Sequence, residues 1–192
     1  MSDHRRAVAA LLGEPRDVFA GHCAWRGIEE DLGVPLPQDY KQLVDAYAPV
    51  RINGHLYLEH PANEFYRLGQ WISETLDDVE SEGLGRNDAG EASGLIPLAC
   101  TDRGEYVFAA PGNDGERWRV LSRSRDEPEF YEHRMSFSEW LCKYLEGGEM
   151  FGPGHAVPPN GPVRMESLPT AAGERISEWY GPERPGKRSG GI

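Results

Sequence analysis

Residues 25–47, WRGIEEDLGVPLPQDYKQLVDAY, constrain the fold more than any other stretch, because two amphipathic helical patterns meet there across a stiff Leu-Pro step. Trp25, Ile28 and Leu32 recur at i, i+3 and i+7 and share one stripe, while Arg26, Glu29, Glu30 and Asp31 face water. Gly33 ends that helix. Pro37 presets φ for a first helical turn and Asp39 lends that turn negative charge, so the pattern predicts a second helix over 38–47. Tyr40, Leu43, Val44 and Tyr47 form its buried face.

Trp25, Ile28-Glu29, Leu32-Gly33, Leu36-Pro37 and Tyr40-Lys41, in that order, resemble the opening signature of the SUKH superfamily, the Smi/Knr-type domains. The resemblance extends to Leu95-Ile96-Pro97-Leu98, similar to the family's central strand, and to Ser136-Phe137 with Trp140-Leu141, similar to its closing helix. Ala48-Pro49 stands where the family carries an Asn-Gly-Gly-like turn, and Arg103-Gly104-Glu105 where it carries Gly-Asp, so the resemblance assigns these turns no ligand role. It implies an α+β, SUKH-like fold, a mainly antiparallel sheet packed by several helices. Fold resemblance alone does not assign a function. Bacterial relatives commonly neutralise toxins delivered between cells, many of them nucleases or deaminases, and eukaryotic relatives act in signalling and cell-wall control without catalysis.

A chain of 192 residues with 39% hydrophobic residues is long enough for one sizeable core. The expected division is a SUKH-like domain over 1–146 and an extended Gly/Pro-rich C-terminal tail over 147–192, where 10 glycines and 7 prolines leave room for only a short helix near 171–180. No apolar run is long enough to span a bilayer and the N-terminus is a poor signal peptide, so a cytoplasmic address is expected. Cys23, Cys100 and Cys142 are odd in number and form no CxxC pair, which suggests neither a disulfide framework nor a zinc site.

Ahead of the signature, residues 4–12 read as a short helix with Val8, Leu11 and Leu12 on one side. Residues 52–59 alternate as one half-buried strand interrupted near Asn53-Gly54, and Phe65, Leu68, Ile72, Leu76 and Val79 give a helix over 64–80 flanked by Trp71. The glycine-rich stretch 81–93 reads as a solvent-exposed loop. Strands over 95–101, 105–110 and 117–123 form an antiparallel meander, and 130–133 an edge strand. Ser136 and Glu139 make a capping box for a helix burying Phe137, Trp140, Leu141, Tyr144 and Leu145.

Signals for chemistry are sparse. HExxH, GxSxG and Walker motifs are absent, and no GxGxxG follows a strand, so the sequence suggests no catalytic residue, no cofactor and no metal. His55, Glu59 and His60 come nearest to a constellation, but on one strand 60 points away from 55 and 59. Cys142 is expected to be a buried thiol.

Charge is the sharper clue. Both ends are neutral, with three acids and three bases in 1–22 and five of each in 147–192, so the net charge of −12 falls wholly on the SUKH-like region. Phosphate contacts need Lys and Arg, which disfavours direct nucleic-acid binding. Glu74, Asp77, Asp78, Glu80, Glu82, Asp88 and Glu91 stand against the single base Arg86, which puts half the net charge in 18 residues. A solvated helix face is the plain reading of such a run. The functional reading is an acidic partner-binding surface with Trp71 as an aromatic anchor, facing a basic protein such as a toxin domain. Arg117, Arg119, Arg123 and Arg125 form a counter-patch at same-face strand spacing, so the domain is expected to be electrically polar. Membranes are not expected partners, and a second copy of this chain is one the sequence leaves open. The expected function is an immunity protein, with a regulatory scaffold and an accessory protein or enzyme of a biosynthetic pathway as alternatives.

Overall fold

The structure is a computed structural model that describes residues 3–21, 24–83, 94–112, 118–125, 127, 129–156 and 161–184. It contains helices α1 (Asp3–Leu12), α2 (Trp25–Leu32), α3 (Gln38–Tyr47), α4 (Leu68–Ser81) and α5 (Phe137–Leu145). Its strands are β1 (Val50–Ile52), β2 (Leu56–Leu58), β3 (Ile96–Thr101), β4 (Tyr106–Pro111), β5 (Trp118–Arg123), β6 (Tyr131–His133), β7 (Arg164–Ser167) and β8 (Glu178–Tyr180). All eight strands join one antiparallel sheet in the order β6-β5-β4-β3-β2-β1-β7-β8. The α+β expectation is met.

The signature stretch folds as its pattern dictates, and its polar residues turn out to be fasteners. Gly33 closes α2 at φ 68°, a left-handed conformation that favours glycine. The Glu29 carboxylate then accepts the Leu36 N–H at 2.8 Å and the Lys41 ammonium at 2.6 Å, which locks the Leu-Pro step between the helices. Asp39 accepts the Ser138 N–H at 2.7 Å, so the acid in the first turn of α3 also serves the N-terminus of α5. Ser136 Oγ accepts the Glu139 N–H at 3.3 Å, which is the expected cap. Tyr40, fully buried, donates its hydroxyl to the Leu98 carbonyl and so ties α3 to β3.

Alternation along the strands separates two faces. Val107, Ala109 and Val120 enter the main core with α1, α3 and α5, while Phe108, Ala110 and Leu121 join Val79 of α4 in a second cluster. Helix α4 spans both clusters, with Leu68 and Ile72 in the main core and Val79 in the second. On the same face of β1 and β7 the cross-strand neighbours Arg51 and Glu166 form a two-bond ion pair at 2.8 and 2.9 Å.

Four expectations change. The interrupted strand over 52–59 is a hairpin: Asn53 and Gly54 both take positive φ (53° and 69°), the combination that reverses a twisted antiparallel pair, and β2 returns along β1. Helix α4 starts at Leu68 rather than at 64, because Asn63 Oδ1 accepts the Phe65 N–H and Arg67 turns left-handed at φ 44°. Phe65 is thereby turned out to solvent instead of into the core. The C-terminal stretch is not only an extended tail: residues 164–167 and 178–180 are β7 and β8 of the same sheet, and the helix expected near 171–180 does not form. Residues 178–180 pair instead with Arg164–Glu166, and β7 in turn lies on the edge of β1 with Val163 and Met165 buried. Most of the 81–93 loop, residues 84–93, lies outside the described residues, as do Cys23 and Arg117.

Candidate functional site

The approach to α4 is an aromatic loop. Asn63 is buried and donates its amide to the Pro169 carbonyl at 3.2 Å, which pins the loop to the segment after β7. Phe65 and Tyr66 follow, 50% and 42% exposed, with rings 5.3 Å apart in an edge-on pair. Exposed aromatics of this size are uncommon away from binding surfaces. From there α4 buries Leu68, Ile72, Thr75 and Val79 and presents Glu74, Asp77, Asp78 and Glu80 to solvent, with exposed Glu82 just after it.

Between this helix and the sheet lies a pocket of about 200 Å³. Leu68 of α4 and Leu98 and Ala99 of β3 supply its apolar floor; Tyr57, Tyr66 and Trp71 supply aromatic walls; Glu59 and Cys100 bring the titratable groups. Glu59 Oε2 is buried without a hydrogen-bond partner. Burial pushes the Glu59 carboxyl up to about 8, more than offsetting a hydrogen bond from Asn63, so the group holds its proton at neutral pH. Burial likewise raises the Cys100 thiol to about 12, helped by the nearby Glu59 charge, which leaves it an unreactive thiol.

A second, more polar cleft of about 170 Å³ lies at the far end of α4, where Asp78 and Glu82 meet Arg123, Arg125, Tyr106 and Phe108. Arg123 Nη1 donates to Glu82 Oε2 at 2.7 Å. Arg119 turns to Glu132 of β6 at 2.7 Å. The expected counter-patch is thus partly neutralised, Arg123 by an acid of the run it was expected to oppose, because residue 123 faces α4, and Arg119 by Glu132 of the neighbouring strand. Of the acidic run, Asp88 and Glu91 lie outside the described residues.

His55, Glu59 and His60 point to three different places. Glu59 faces the pocket, and His60 is buried against the Phe19 ring with Nε2 3.3 Å from Asp45. His55 joins a network with no signal in the sequence: its Nδ1 meets Asp102, its Nε2 lies 3.1 Å from Glu105, and the other Glu105 oxygen lies 3.1 Å from His155 Nδ1. Burial opposes charge on both His55 and Glu105, but their hydrogen bonds outweigh it, raising the imidazole and lowering the carboxyl. Among the described residues no group of three His, Cys, Asp or Glu side chains is arranged to hold a metal ion.

Glu105, lowered in the folded state, contributes stability that is present above 4.5 and lost as pH falls through its folded value; His55, raised, contributes stability that is full below 6.5 and lost as pH climbs through its folded value. Glu105→Gln is expected to cost about 1–3 kcal/mol near neutrality, since two imidazoles lose their carboxylate partner. Urea unfolding at neutral pH and at about pH 3 checks it. The deficit should shrink at the acid end.

A model of the SMI1 / KNR4 family (SUKH-1) matches residues 24–143, more than half of the 192 residues. The chain belongs to the SMI1/KNR4 (SUKH-1) family. The match begins one residue before α2 and ends inside α5, so it takes in the signature, α4 and the pocket. Strands β7 and β8 of this SUKH-1 chain lie beyond it. No curated protein and no solved structure matches the SUKH-1 chain. No helix among its described residues is long and apolar enough to cross a membrane.

The pocket roles of Tyr57, Tyr66, Cys100 and Glu59 are not legible in the sequence, where Glu59 stands out only beside His55 and His60; Trp71, the expected anchor, lines the pocket. One signal was available: Tyr57 and Glu59 share a parity opposite to Leu56 and Leu58, so once the latter are core, the former face the other side of the sheet.

Proposed function

We propose that this protein is a non-catalytic immunity-type module that neutralises a basic toxin domain, of nuclease or deaminase type, by stoichiometric occlusion through the α4 face. Membership of the SUKH-1 family supports a protein-binding role. The observation that carries the reading is the juxtaposition of the exposed Phe65-Tyr66 pair and half-buried Trp71 with the acidic outer face of α4. Tight interfaces need apolar or aromatic anchors at the centre, and charge at the rim governs encounter rate and salt dependence. Trp71, Tyr66 and Phe65 serve as anchors; Glu74, Asp77, Asp78, Glu80 and Glu82 form the acidic rim, and Asp88 and Glu91, which follow in the sequence, add to its charge. Occupying a cationic active site with this rim blocks the place where nucleic-acid phosphates would lie.

The test starts from affinity capture with the full chain in its native host, followed by assay of the captured domain with and without equimolar protein. The expected partner is a basic nuclease or deaminase, inhibited at one-to-one stoichiometry. A variant with Asp77, Asp78 and Glu80 all changed to Lys, which spares the Glu82–Arg123 pair, is expected to associate about tenfold or more slowly at low salt and to lose most of its salt dependence. An acidic partner, or an association rate unmoved by the triple change, rejects the reading.

A further inference from the structure

The pocket under Trp71 has a composition that an ordinary hydrophobic recess does not explain. Three aromatic side chains, Tyr57, Tyr66 and Trp71, line a space of about 200 Å³ into which a carboxylic acid is also built. That space is smaller than the usual site for a drug-sized ligand and comparable to cavities that hold a single benzene, so it suits one side chain. Glu59 Oε2, buried, has no hydrogen-bond partner, although folded proteins pair nearly all such atoms. Arg51, whose guanidinium lies 5.9 Å from the Tyr57 ring centre, is held by two bonds to Glu166. Among the described residues no cation is paired with the acid.

We propose that this pocket receives one arginine side chain of the protein partner, with Glu59 as its counter-ion and Tyr57, Tyr66 and Trp71 as the aromatic surfaces against which the guanidinium stacks. A planar guanidinium is less strongly hydrated than an ammonium, stacks on aromatic faces and offers several N–H donors to a carboxylate, which favours arginine over lysine. The acidic face of α4 runs directly from the pocket, so a partner that brings an arginine here is drawn in by the same charge. This assignment rests on the proposed partner-binding role of that face and names what sits at its centre.

Arrival of the cation is coupled to loss of a proton. Glu59 holds its proton in the empty pocket and gives it to solvent when the guanidinium enters, forming an ion pair; no other bond changes. The groups that face Glu59 are Tyr57 from β2, Tyr66 from the loop, Cys100 from β3 and Tyr40 from α3, with the guanidinium of Arg51 from β1 beyond Tyr57. Burial raises the Tyr40 and Tyr66 hydroxyls and the Cys100 thiol above their ordinary values, so Glu59 is the group whose charge changes.

The test uses the full chain and three small probes of similar length: N-ethylguanidinium, n-butylammonium and 1-butanol, titrated by heteronuclear NMR from about pH 6 to about pH 9. N-ethylguanidinium is expected to shift the resonances of Glu59, Tyr66 and Trp71, with Kd falling about tenfold per pH unit up to about 8 and levelling above it, as displacement of one proton requires. In E59Q the pH dependence is expected to vanish and the affinity to fall about tenfold or more, while Trp and Tyr resonances remain those of a folded protein. n-Butylammonium should bind more weakly and 1-butanol should show no pH dependence. Equal binding of 1-butanol, equal or tighter binding of n-butylammonium, or unchanged guanidinium binding in E59Q overturns the proposal. If no probe binds while the triple Lys variant still loses its partner, the pocket assignment fails and the protein-binding role stands.

Discussion

Glu59→Gln is expected to stabilise this protein, and by more as the solution becomes more alkaline. An ordinary glutamate carboxyl titrates at 4.5 and Glu59 titrates at about 8, so across that interval the unfolded chain is ionised where the folded chain still carries a proton. The sign follows directly: the folded state binds the extra proton, so this group's contribution is full below 4.5 and drains away as pH rises through about 8. Each pH unit in the window costs about 1.4 kcal/mol, giving about 3 kcal/mol at neutral pH and about 5 kcal/mol above the folded value. Glutamine fills the same volume without titrating. Part of the gain is offset because its amide also needs partners in an apolar recess. The measurement is the difference in urea-unfolding free energy between the two proteins from about pH 5 to about pH 9, which isolates Glu59 from His55 and Glu105. A flat difference would mean that the carboxyl is not held in its neutral form. The expectation bears on function too, since a residue whose removal strengthens the fold is retained at a cost that folding alone does not justify.

The largest loss is expected from Trp140→Ala. Trp140 is fully buried on α5, stacked between Phe137 at 6.0 Å and Tyr144 at 5.4 Å, with Phe151 edge-on at 5.5 Å. Truncation leaves a cavity that three rings cannot close together, and such changes cost about 3–5 kcal/mol. For a chain of this length each kcal/mol moves the melting temperature by about 2–4 °C, so a drop of roughly 6–20 °C is expected by calorimetry. Trp140→Phe should lose much less, because the indole Nε1 has no hydrogen-bond partner to forfeit and a ring remains in the stack. Equal losses in the two variants would place the stabilisation outside ring packing.

Legibility in the sequence followed the range of the interactions. Helices α2 and α3 are legible in the sequence, because a 3.6-residue stripe, a glycine stop and a proline start are all local. Helix α4 began four residues later than its pattern suggested, and nothing between Glu64 and Arg67 forbids a helix; the break comes from Asn63, whose amide reaches Pro169, 106 residues away. The Asn53-Gly54 turn is written in the sequence, but three apolar residues at 52, 56 and 58 fit one interrupted strand as well as a hairpin. Strands β7 and β8 are short enough for surrounding glycine and proline to hide them; β7 pairs with β1, which lies more than a hundred residues upstream, and β8 has only β7 to pair with. The acidic outer face of α4 was legible as composition. The pocket was not, since Glu59 comes from just past β2, Cys100 from β3 and Trp71 from α4, and only the folded sheet brings the three together.

Strand β7 has a further meaning for life in a crowded cell. The family-matched segment, taken alone, would end its sheet on β1, three residues with outward-facing amides and carbonyls and an apolar side in Val50 and Ile52. Such a border recruits any extended peptide that drifts past, and a protein meant to meet one target would then stick to many. By laying Arg164–Ser167 along that border and adding β8 outside it, the chain occupies its own most adhesive margin. On the proposed reading of the α4 face, selectivity in this molecule has two halves, a face left open for a chosen guest and an apolar border covered against strangers.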